Sequence, residues 1–156
     1  MLNKYTKTAI GAFLCASALT AIKHWKDIRD SEPDTICHLE FDSAVIANIP
    51  QATTIKQMAR GLSNLKEVDN GMLFTWPDED NRTFWMKDTY VPLSVAFIDS
   101  NGEVTQISDM SPNTEVHHVS LMPVREGLEL PAGRFEQLGI GVGSKLVNRH
   151  CFKKGD

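Results

Sequence analysis

The sequence predicts a mostly β domain of the α+β kind: a compact, closed or partly closed antiparallel barrel-like sheet with one or two short helices. Three observations carry this expectation. About seven short runs of β-branched and aromatic residues follow one another, each bounded by turn residues. Only one stretch places apolar residues at clear helical spacing, and it is short. Asn101-Gly102 stands between two of the runs and tolerates the positive φ of a tight hairpin. Successive antiparallel strands of this length close into a barrel or sandwich, which removes free edges.

The elements follow in order. His38 to Ala47 starts with polar/apolar alternation and continues β-branched, which reads as one or two strands closed by Pro50. Thr53 or Thr54 caps a short helix through Ile55 to Arg60, and Gly61 fits just past its end. Ile55, Met58, Ala59 and Leu62 are spaced to face the core. Met72 to Trp76 is a strand ended by Pro77, followed by a solvated acidic loop, Asp78 to Asn81. Thr83 to Thr89 is the next strand. Leu93 to Asp99 and Glu103 to Ser108 form the hairpin about Asn101-Gly102. Glu126 to Leu130 is a strand, Pro131-Ala132-Gly133 turns the chain, and Arg134 to Leu138 makes one helical turn. Gly139 to Gly143 is a tight turn leading to a closing strand over Ser144 to Asn148.

The chain has 156 residues, of which 42% are hydrophobic and 23% charged, a profile that excludes a disordered or multi-span membrane protein. Lys+Arg of 16 against Asp+Glu of 20 leaves a net charge of −4, so a basic surface for nucleic-acid phosphates is not expected. Residues 1–25 read as a signal peptide or an N-terminal anchor. Lys4 and Lys7 precede an uncharged apolar run from Thr8 to Ile22, and Ala16-Ser17-Ala18 offers a small-x-small cleavage site. The run falls short of the ~20 residues that span a bilayer comfortably, so any membrane contact is expected through this segment alone, if it stays uncleaved. Cleavage after Ala18 would remove two lysines and no acid, deepening the negative charge by two. Residues 26–35 read as a polar linker, and 36–152 as one β-rich domain in a periplasmic or extracellular location.

Export bears on the cysteines. Cys15 lies in the leader, and Cys37 and Cys151 stand at the two ends of the domain, which often lie close in space. A Cys37–Cys151 disulfide is expected in an oxidising compartment, with two free thiols as the next reading. The competing zinc site from Cys37-His38 and His150-Cys151 fits poorly, because neighbours on a strand point to opposite faces. No metal and no cofactor is expected. His117-His118 is read as a solvated or packed pair.

Chemical motifs are otherwise missing. Gly139 to Gly143 does not open a long helix after a strand, so it is no dinucleotide loop, and no G-x-S-x-G, H-E-x-x-H or phosphate-binding loop occurs. One segment differs: Phe84-Trp85-Met86-Lys87-Asp88-Thr89. On a strand Phe84, Met86 and Asp88 share one face, and Trp85, Lys87 and Thr89 the other. The mixture suits either a shallow site with an aromatic platform or a core strand whose last charges reach solvent.

Several stretches together resemble an uncharacterised prokaryotic family known as domain of unknown function 192. They are Arg60-Gly61-Leu62, Gly71 to Phe74, Phe84 to Thr89, Val91-Pro92-Leu93, Val95 to Asp99, Leu128-Glu129-Leu130-Pro131-Ala132-Gly133 and Gly139 to Gly143. The resemblance implies a compact β-rich fold and, in many members, an export signal. It implies no established activity. Asp88 stands where the family usually has Asn, and Ser94 where it usually has Asp. Arg60, Lys87 and Glu129 keep the charge of the matching motif positions. Charges inside apolar strands must be paired or lie in a site, so Glu129 either pairs with Arg60 or Lys87, or shares a polar pocket with Trp85.

The expected function is a non-catalytic cell-envelope domain that binds a small ligand, a glycan or a protein partner. Trp85 would stack on it, and Arg60, Lys87, Asp88 and Glu129 would orient it. The alternative is a hydrolase with Asp88 and Glu129 as acid and base, which requires the two carboxylates roughly 5–10 Å apart across a cleft.

Overall fold

The computed structural model describes residues 20–155. Most of the expected leader, with Cys15 and the cleavage site, lies outside the described residues. Residues 20–30 are helical (α1) and expose Ile22, Trp25 and Ile28. The stretch expected as a linker is therefore helical up to residue 30. No described helix is long and apolar enough to cross a membrane.

The domain that follows is mostly β, as expected. The strands are β1 (Thr35–Phe41), β2 (Val45–Ala52), β3 (Met72–Asp80), β4 (Thr83–Phe84), β5 (Leu93–Ile98), β6 (Val104–Met110), β7 (His118–Val119), β8 (Val124–Pro131) and β9 (Leu146–Lys153). The helices after α1 are α2 (Ile55–Arg60) and α3 (Arg134–Leu138). Seven strands form one curled, half-barrel sheet in the order β6-β5-β8-β3-β2-β1-β9, while β4 and β7 pair separately. All neighbours are antiparallel except β2 and β3, whose crossover contains α2. The two edges approach each other where Val104 N donates to the Ser144 carbonyl and Leu146 N to that of Gly102, each near 2.9 and 2.8 Å. Those bonds close the curl at one end.

The central strands are buried on both faces. Every residue of β5 is buried. One core lies on the face carrying Leu39, Ile49, Leu73, Leu128 and Leu130, sealed by Phe135 of α3. The second core holds Met72, Phe74, Val95 and Phe97, and is covered by Phe84, Met86 and Leu62. The site described below is set into this second cover.

Several local expectations needed correction. Thr54 caps α2 through a reciprocal pair: its hydroxyl accepts from Gln57 N at 3.3 Å, and the Gln57 side chain accepts from Thr54 N at 3.1 Å. That buries Gln57 and turns Ile55 out to solvent, 87% exposed, although its spacing pointed inward. Strand β3 does not stop at Pro77. It runs to Asp80, because its ladder with β8 is interrupted between Thr75 and Asp80, where a missing N–H costs nothing. The strand expected over Thr83 to Thr89 ends at Phe84. Asp88 turns the chain at φ +55°, a conformation Asp tolerates better than most residues. Its carbonyl accepts from Asn64 N at 2.7 Å, and Met86 N donates to the Thr114 carbonyl at 3.0 Å. The segment is thus a pinned loop, not a ladder strand.

Candidate functional site

Strand β8 places Glu129 between Met72 of β3 and Val95 of β5. Alternation sends its side chain away from Leu128 and Leu130 and into the second core. Only 4% of the residue is exposed. Burial alone pushes its carboxyl up to about 8, so the group is mostly protonated at neutral pH. Among the described residues no cation and no hydrogen-bond donor partners this carboxyl.

What lies over Glu129 is a narrow cleft of about 100 Å³. Phe74 and Trp76 of β3 and Phe84 and Trp85 of the β4 segment line it, with Arg60 and Thr89 at its margins. The ring of Phe84 meets Phe74, Trp76 and Phe97 edge-on, at centroid separations of 5.0, 6.1 and 5.7 Å. These contacts fix three of the walls. Trp76 is braced from outside by Arg82, whose guanidinium lies 4.8 Å from the ring centroid and donates to Asp78.

The predicted site residues fare differently. Arg60, Trp85 and Glu129 come together around the cleft. Trp85 is half exposed, meets His117 edge-on, and carries the Lys87 ammonium 5.7 Å from its ring centroid. The expected ion pair of Glu129 does not form. Arg60 is held instead by Glu32 at 3.3 Å and by the Ser31 hydroxyl at 3.1 Å, and Lys87 by Glu115 at 3.5 Å. Asp88 is exposed and does not line the cleft, so the structure does not bring Asp88 and Glu129 to one opening. Phe74 and Trp76 were missed as site residues. Their i, i+2 spacing on β3 puts both on one face, which was the available signal.

Two other places carry buried chemistry. The sulfurs of Cys37 and Cys151 lie at bonding distance, 2.05 Å, joining directly opposed residues of β1 and β9. At the seam between the sheet edges a shallower polar groove of about 510 Å³ contains Arg125, Asp99 and the pair Glu126–Arg149. Glu126 is buried, but Arg149 and the Thr75 hydroxyl satisfy it. The smaller cleft is therefore the stronger candidate: its carboxyl is buried and, among the described residues, has no protein partner, whereas Glu126 has two. Among the described residues no cluster of three or more metal-ligating side chains occurs.

Comparison with known proteins agrees with this architecture. A crystal structure from Sinorhizobium meliloti 1021, described as that of a candidate transcription regulator, is similar with a TM-score of 0.65 and 26% identity, over 80% of this chain and 98% of the other. A protein of unknown function from Novosphingobium aromaticivorans DSM 12444 is similar with a TM-score of 0.62 and 25% identity, over 74% and 83%. No curated protein matches the chain. The described core apart from Cys37, the Glu129 strand and the aromatic cover all fall within residues 38–148, which match the family described as DUF192, Uncharacterized ACR, and the chain belongs to that family.

Proposed function

We propose that this is an exported cell-envelope domain acting as a non-catalytic binding module, with its ligand held at the Glu129 cleft. The observation that carries the reading is a carboxyl without a protein partner lining an aromatic-walled opening. A ligand with a matching polar group would supply the partner that the described residues do not. At about 100 Å³ the cleft is well below the ~300–1,000 Å³ that encloses a whole small molecule. It suits one protruding group of a larger ligand, with Trp85 stacking on what remains outside. Acid/base hydrolysis by Asp88 and Glu129 has no support from their placement. The acidic balance of the chain argues against nucleic acid as the ligand. Export rests on the N-terminal sequence.

The test is a thermal-shift panel of glycans, amino acids, amines and peptides on wild type, Trp85→Ala and Glu129→Gln, with circular dichroism as a check of folding. Ligand-induced shifts should vanish in both folded variants. A shift undiminished in Trp85→Ala would show that the cleft is not the site.

A further inference from the structure

Resting on the binding reading, we propose that the group entering the Glu129 cleft is a primary ammonium, carried by a free alkylamine or by a lysine side chain. Four features of the site point the same way. The floor is a carboxyl that no cation among the described residues neutralises, although Arg60 lines the same cleft and Lys87 lies against Trp85. The Arg60 guanidinium is instead engaged by Glu32 and Ser31. The walls are aromatic, and ring faces attract a cation within about 6 Å of their centroid. The volume of about 100 Å³ suits a compact head on an alkyl stem. An acidic chain would also draw a cation to the opening.

The alternative occupant is a neutral group, a hydroxyl or an amide, bonded to the protonated carboxyl. The two make opposite demands on the proton. An ammonium requires the ionised carboxylate, so binding expels the proton. A neutral acceptor requires the acid form. The charged groups facing Glu129 are few. Arg60 from α2 is the other ionisable residue of the cleft, β3 and β5 present Met72 and Val95 beside it, and the β4 segment presents aromatic rings.

The experiment titrates the full chain with n-butylamine, with Nα-acetyl-lysinamide and with 1-butanol as the neutral control, following the tryptophan side-chain resonances by NMR across a pH series. Both amines should bind and butanol should not at equal concentration. Affinity should rise about tenfold per pH unit up to about pH 8 and then level, with close to one proton released per amine bound on the acid side. Glu129→Gln, a near-isosteric change, should lower amine affinity at least about tenfold at that pH. Tighter binding of the lysinamide assigns the site to a protein side chain, and tighter binding of butylamine assigns it to a free amine. Equal binding of butanol, affinity that falls with rising pH, or no binding of either amine overturns the ammonium assignment. If a neutral ligand of the thermal-shift panel then proves dependent on Trp85, the binding module stands and the ammonium alone fails.

Discussion

The backbone of Gly71 runs so close to Glu129 that a Cβ built on it would lie 1.9 Å from the Glu129 carbonyl oxygen. Its φ is +79°, in the region that favours glycine. The neighbour is backbone, so no rotamer change relieves the contact. Gly71→Ala should therefore destabilise by at least ~3 kcal/mol, combining positive-φ strain with displacement of β8. Urea unfolding measures it. A cost below about 1 kcal/mol would mean that the two strands separate easily, and the floor of the cleft is then not rigid.

The Glu129 carboxyl makes stability depend on pH. Its ordinary value is 4.5, and burial raises it to about 8. Below the lower value both folded and unfolded states hold the proton, and burial costs little. Between the two values the unfolded chain ionises while the native state does not, so stability falls as pH rises and levels off above about 8. Glu129→Gln removes this contribution. The variant should unfold within ~1 kcal/mol of wild type near pH 4 and be more stable by a few kcal/mol near pH 8. The difference between the two proteins across the series isolates this group from other titrations. Parallel curves would place the carboxyl in water.

Much of this geometry was legible from alternation. Phe84 and Met86 are buried while Trp85 and Lys87 are exposed, as period two required, but the turn at Asp88 reverses the pattern, leaving Asp88 exposed and Thr89 buried, and Glu129 does face away from Leu128 and Leu130. Alternation could not say that both faces of β8 are covered, so the charge placed away from one core landed in another. Nor could it foresee the partner of Arg60, because Ser31 and Glu32 lie in a stretch that reads as linker and carries no pattern of its own. The turn at Asp88 escaped for a related reason. It is set by a bond from Asn64, a contact over 24 residues that nothing local announces. The DUF192-like motif marked Arg60, Lys87 and Glu129 together, yet only the fold separates the one that is unpaired from the two that are.

Gly127 is a second close approach, against the Phe84 ring that lines the cleft. A Cβ there would come within 2.5 Å of the Phe84 ring, which is wedged against Phe74, Trp76 and Phe97. Gly127→Ala should cost ~1–3 kcal/mol as an overpacked core and push the ring into the opening. Phe84→Ala should cost ~3–5 kcal/mol alone. On that background the added methyl should be nearly neutral, since the ring it meets is gone. A double-mutant cycle reads this coupling, and additive costs would show that Phe84 does not lie over Gly127.

The last relationship links the two ends of the domain. Cys37 is fully buried in the first core, and its partner Cys151 sits on β9, the outer strand whose residues are largely exposed. Little side-chain burial holds β9, so a covalent link there should carry more than the strand's own packing. Bridging residues 114 apart in sequence restricts the unfolded chain by ~4–5 kcal/mol in the chain-entropy view. Substituting Cys37 would confound this with a cavity in the core. A phosphine reductant on the wild-type protein separates the two, because it leaves both sulfurs in place. Thiol counting after unfolding should find Cys37 and Cys151 blocked before reduction and free after it. The midpoint of urea unfolding should drop by the corresponding amount, and amide exchange should quicken in β9 before it does in β5 or β8, whose side chains are buried on both faces. Free thiols at Cys37 and Cys151 in the oxidised protein, or an unchanged midpoint after reduction, would mean that β9 is held by its ladder to β1 alone.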